Sequence, residues 1–164
     1  MSYFQINQVI VALVTLLQDV MPTAYNGAID IDTLGDEDFD ESGQLVLTPP
    51  SMRVRYRETS FDNLRDNRRL TYQAVNQIEV LCFESSLASK ADERAQTMAL
   101  VVAALNQLAG ARLTLADGST SMPITIRSCG LVVTEEGPVD QLMAIGISIE
   151  GISQFDGPNA GANG

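Results

Sequence analysis

Residues 51–57 read Ser-Met-Arg-Val-Arg-Tyr-Arg, and the fold is parsed outward from this stretch. Met52, Val54 and Tyr56 alternate with Arg53, Arg55 and Arg57. A period of two belongs to a strand, here with one apolar and one cationic face. Upstream the period is helical. Ile6, Val9, Ile10, Leu13, Leu16, Leu17 and Val20 predict a helix over residues 4–21. Pro22 is placed to stop it, because the residue before a proline disfavours helical geometry. Residues 23–50 then form a long acidic connection that ends in Pro49-Pro50. A connection of that length is functional, disordered or ordered by a partner.

Downstream, residues 59–70 are polar and turn-like, and a second strand is expected from Tyr72 to Ser85. Ile78, Val80 and Cys82 fall on one face of it and Leu81 and Phe83 on the other, which predicts cover on both sides. Ser89 to Asp92 has the form of a capping box opening a second helix, and Gly110 is a natural stop. Its stripe is Ala91, Ala95, Met98, Val102, Leu105 and Ala109; Leu100, Val101 and Ala104 add apolar surface off that stripe. ARLTLA, PITIRSCGLVVT and LMAIGISIEGIS then read as three strands joined by Gly-containing turns. Gly146 and Gly151 in the last strand are expected to mark bulges or a close backbone approach. Strands and helices do not alternate as βαβ. The fold expected is therefore α+β: a largely antiparallel, mixed sheet of about five strands with two helices packed on it. Residues 1–155 form the expected domain, and 156–164 (DGPNAGANG) an expected disordered tail.

Composition narrows the function classes. The chain has 164 residues, enough to bury about 70% of its unfolded surface. It has no His, the commonest general base and zinc ligand, and its two cysteines, Cys82 and Cys129, are read as free thiols. The apolar run Val9–Leu17 is bracketed by polar residues, lacks a basic flank and is too short to span a bilayer, so no membrane association is expected. Net charge is -11, which argues against a general nucleic-acid-binding surface. Its distribution is uneven. No cation precedes Arg53, and six of the ten cations are Arg53, Arg55, Arg57, Arg65, Arg68 and Arg69.

The acidic stretch Ile29–Gly43 imitates a calcium loop. With Asp30 at position 1, Asp32 falls at 3, Gly35 at 6, Asp36 at 7, Asp38 at 9 and Glu41 at 12. Leu34 at position 5 offers no side-chain oxygen, Glu37 replaces an aliphatic residue at 8, and no exit helix follows. The stretch is therefore expected to be a mobile, solvated arm. Its candidates for subunit contact are Asp30, Asp32, Asp36, Glu37, Asp38, Asp40 and Glu41. The arginines at 53, 55, 57, 65, 68 and 69 are the matching cationic candidates. If the acid of one copy meets the arginine face of another, the contact is head-to-tail, a type that closes into rings when the rotation permits. No nucleophile–base pair, phosphate loop or metal ligand set is legible, so neither catalysis nor a cofactor is expected.

The order of elements, with RLTYQAVNQIEVLCFE at 69–84 and MAIGISIEGISQF at 143–155, resembles the minor tail proteins of tailed bacteriophages. It is similar in particular to the tail-terminator group of Mu-like contractile-tailed phages, over roughly residues 3–155. The resemblance implies a structural virion protein, assembled in the host cytoplasm, that forms a hexameric ring. That ring terminates the tail tube and sheath and joins the tail to the head through neck and connector proteins. It implies no catalytic residues and no cofactor. Head–tail joining and tail-completion proteins share such small α+β folds, and a cation- or partner-binding module built on the acidic arm is the reading outside this class. Carboxylates lining the lumen of a ring would repel passing DNA, whereas arginines there would hold it.

Overall fold

The computed structural model describes residues 6–63, 71–84, 90–134 and 137–155. It has two helices, α1 (Ile6–Ala24) and α2 (Lys90–Leu108), and five strands: β1 (Asp30–Thr33), β2 (Ser51–Asn63), β3 (Thr71–Phe83), β4 (Thr125–Thr134) and β5 (Gly137–Gln154). The strands form one mixed sheet in the order β1-β2-β3-β5-β4, parallel only between β1 and β2. The α+β expectation holds.

Both helices lie on one face of the sheet. The core joins Met52 and Val54 of β2, Ile78, Val80 and Cys82 of β3, and Met143, Ile145, Ile147 and Ile149 of β5. Onto these α1 brings Val9, Ile10, Leu13, Val14, Leu17 and Met21, and α2 brings Leu100, Val101, Ala104 and Leu108. Leu13 and Leu17 are wholly buried, each contributing about 1.5–3 kcal/mol by removal of apolar surface from water. By length and composition α1 could cross a membrane. Its most apolar face is nevertheless taken up by the sheet and α2.

Four expectations are corrected. α1 runs through Pro22 to Ala24, because buried Met21 holds the last turn against the sheet. In α2 the packed face carries Thr97, Leu100, Val101, Ala104 and Leu108, whereas Ala91, Ala95, Met98, Val102 and Ala109 face outward. Two apolar faces compete on this helix, and the one carrying Leu100, Val101 and Leu108 closes over the sheet. ARLTLA is not a strand of the sheet. It makes only a small hairpin through Thr114 and Thr120, since Leu113 enters the core on the helix side. The acidic connection is not strandless: β1 lies within it, and Phe39 bridges Leu45 in a second hairpin.

β2 also reaches Asn63, well into the stretch read as a turn, because a register shift between Tyr56 and Glu58 changes the phase of its alternation. Gly110, at φ +73, ends α2 as expected. The proposed cap at Ser89 and the tail 156–164 lie outside the described residues. The outer edge of β1 is occupied by side chains: Gln18 Nε2 donates to the Ile31 carbonyl at 2.8 Å, and Asp32 Oδ1 accepts from the Thr33 amide at 2.7 Å.

Candidate subunit interface

The face of the sheet away from the helices carries the charged candidates, and the register arranges them in rows. One row runs Arg53, Leu81, Ala144, Gly130 across β2, β3, β5 and β4; the next runs Arg55, Glu79, Gly146, Ser128. Each row begins on a long cation and ends on small residues. The face therefore falls from an arginine ridge on β2 to a low floor over β5 and β4.

At the Arg53 and Leu81 end of the first row the face is covered. Arg53 Nε donates to Asp38 Oδ1 at 3.0 Å, and Nη2 to Asp30 Oδ2 at 2.7 Å. Nη1 donates to the Asp30 and Met52 carbonyls at 2.9 and 3.0 Å. The Arg53 and Asp38 side chains are only 8% and 6% exposed, against 56% for Asp30. Burial opposes the charge on Arg53, but its hydrogen bonds and the field of the two carboxylates win and raise its pKa. The second Asp38 oxygen accepts the Gly35 amide at 3.0 Å. Asp30, Asp38 and Arg53, which sequence reasoning places at a contact between copies, are thus joined within one chain. They pin the acidic segment across this end of the sheet, where Leu81 and Leu142 are buried too.

Beyond Arg53 the ridge opens. Glu79, only 15% exposed, accepts Arg55 Nη2 at 2.9 Å and faces Arg57 Nε at 3.4 Å; the two arginines are 37% and 55% exposed. Arg55 Nε is buried without a partner. Arg127 stands on the far side, at the register shift of β4, with Nε donating to Ser148 Oγ at 2.7 Å. Between these walls lies a hollow of about 420 Å³ floored by Gly130, Ala144 and Gly146. At Gly146 a Cβ would meet Ser128 Oγ, which would have to rotate away. Gly146 lies opposite the register shift of β4, as expected of a bulge, whereas Gly151 marks neither a bulge nor a close approach: its pairing with Ala74 is regular and its side-chain position is open.

The other acidic candidates, Asp32, Asp36, Glu37, Asp40 and Glu41, are exposed. Asp40 organises its hairpin: Oδ1 accepts the Ser42 hydroxyl at 2.6 Å and the Ser42 and Gln44 amides at 2.9 Å each. The Ser42 hydroxyl leads these bonds in holding the Asp40 carboxyl below its ordinary pKa. The calcium-loop spacing does not become a ligand cage, since Asp30 and Asp38 turn to Arg53 and Asp40 to its own turn. Among the described residues no three acidic or thiol side chains converge on a metal site. Arg65, Arg68 and Arg69 lie outside the described residues. Both cysteines are free thiols, Cys82 buried and Cys129 exposed. Sequence reasoning missed Glu79, Arg127 and Ser148, since only the register reveals which groups oppose the arginines.

No family model and no curated protein sequence matches this chain. A solved structure does. A chain of the virion of a native gene transfer agent (GTA) particle superposes with a TM-score of 0.51 at 13% identity. The match covers 94% of this chain and 100% of that one. At that identity the likeness is one of fold.

Proposed function

We propose that this protein is a structural component of a phage-like virion, forming a ring that ends the tail tube and sheath and joins the tail to the head. The observation that carries this is the fold shared end to end with a chain of a gene transfer agent virion. The resemblance of its sequence to tail-terminator proteins supports the position in the tail, and the open charged sheet face suits a subunit whose task is contact. A hexameric ring is the assembly that the resemblance implies. Tail tube and sheath proteins lie on one side of it and neck proteins on the other. DNA passes the lumen without specific binding, kept off by exposed carboxylates. Such a role calls for neither catalysis nor a cofactor.

The test is deletion of the gene, followed by electron microscopy and mass spectrometry of the particles. Tails of uncontrolled length support termination. Tails of normal length beside filled, unattached heads move the protein to a joining role in the neck. Wild-type particles that lack the chain overturn the virion reading altogether.

A further inference from the structure

We propose that the hollow between Arg57 and Arg127 receives the acidic hairpin, residues 36–46, of a second copy of this chain. This deepens the function above and rests on the self-assembly which that function requires. Arg57 and Arg127 line this hollow, and Glu79, which also pairs with Arg55, is the one carboxylate among its described lining residues, so the patch carries a surplus of positive charge in a chain of net charge -11. The floor of Gly130, Ala144 and Gly146 lets another backbone come close to the sheet, and the volume of about 420 Å³ accommodates side chains rather than a domain.

The complementary element is in the same chain. The hairpin is an ordered projection: the Asp40 amide bonds the Gln44 carbonyl at 2.8 Å and the Val46 amide bonds the Asp38 carbonyl at 2.7 Å. It presents Asp36, Glu37 and Glu41, none of which meets a cation among the described residues, and the exposed apolar flanks Phe39 and Val46. It does not fill the hollow of its own chain, whose lining includes none of its residues. Asp38 fastens it over Arg53 on β2, and the floor on β5 lies two strand spacings away, about 10 Å across the sheet. Hairpin and hollow are separate patches, so in a ring the contact is heterologous: hairpin of one copy, hollow of the next.

The experiment uses charge reversal in two full-length variants. R57E/R127E turns the hollow acidic, and D36K/E37K/E41K turns the hairpin basic without touching Asp38 or the Asp40 turn. Sedimentation velocity at low and high salt, with circular dichroism to confirm folding, reads the outcome. Wild type is expected to self-associate at low salt and less at high salt. Each variant alone is expected to associate about a hundredfold more weakly. Mixed, the two are expected to co-assemble, because acidic hairpin meets basic hollow in one direction and basic hairpin meets acidic hollow in the other. If charge reversal perturbs folding, R57Q/R127Q gives a smaller loss with the same salt dependence. Variants that associate like wild type, or a mixture that fails to co-assemble, overturn the docking while leaving a ring intact. A wild type that stays monomeric at every salt and concentration overturns the self-contact, and particle composition then decides the virion role separately.

Discussion

Arg53 and Arg57 lie four residues apart on one strand and meet opposite fates. Arg53 is buried, its charge enclosed by Asp38, Asp30 and two carbonyls. Arg57 stands at a register shift, half exposed, with a single long contact to a carboxylate it shares with Arg55. The difference is not in the arginines but in what crosses them. The acidic segment closes over Arg53 and does not reach Arg57. One end of the ridge therefore belongs to the stability of the protomer, and the other remains available to a neighbour.

The comparison is broken most directly at its buried end. Arg53→Ala leaves Asp38 buried without its counter-charge and is expected to cost about 3–5 kcal/mol in urea unfolding. Asp38→Ala should be similarly costly, and the double variant should fall well short of the sum, since the second deletion removes a charge already orphaned. An additive pair would mean that the two side chains do not act together. A control at another buried polar contact comes next. The Tyr25 hydroxyl donates to Glu84 Oε2 at 2.6 Å, and Tyr25→Phe is expected to cost about 1–2 kcal/mol.

The same contact has a pH signature. Burial first, then the Glu84 hydrogen bond and charge, push the Tyr25 hydroxyl well above its ordinary value of about 10. Because the folded value is the higher one, the stabilisation is full below about pH 10 and is lost as pH rises from there toward the folded value. Wild type should therefore lose stability in that range more steeply than Tyr25→Phe. At the open end the effects shrink. Glu79→Gln, which frees both arginines, is expected to cost about 1 kcal/mol, and Arg57→Ala at most about 0.5 kcal/mol, since exposed pairs contribute little. A loss at Arg57 as large as that at Arg53 would erase the distinction between the two ends.

How much of this was legible follows the same division. The two helices and the long strands announce themselves through periodicity, and Arg53 to Arg57 do lie on a strand. β1 escaped notice because four residues, Asp-Ile-Asp-Thr, present one apolar side chain and no measurable period. The far half of β2 escaped because the register shift after Tyr56 breaks the alternation that identified the near half. The outward stripe of α2 was legible as apolar but not as outward, since periodicity does not say which of two apolar faces meets the sheet. For the charged candidates, spacing gave the inventory of acids and arginines. It could not say that Asp38, fifteen residues before Arg53, would fold back on it within the same molecule.

The occupied edge of β1 has a consequence for how copies can add up. A protein that gathers identical copies risks runaway growth, because an exposed strand on each side of a sheet invites one molecule to extend the sheet of the last. Here Gln18 and Asp32 have already taken the carbonyl of Ile31 and the amide of Thr33. A strand arriving at that edge finds two of its pairing groups already bonded, which disfavours adding sheets end to end into a fibre by that route. Growth is left to side-chain faces, whose fixed angle decides whether the last copy meets the first.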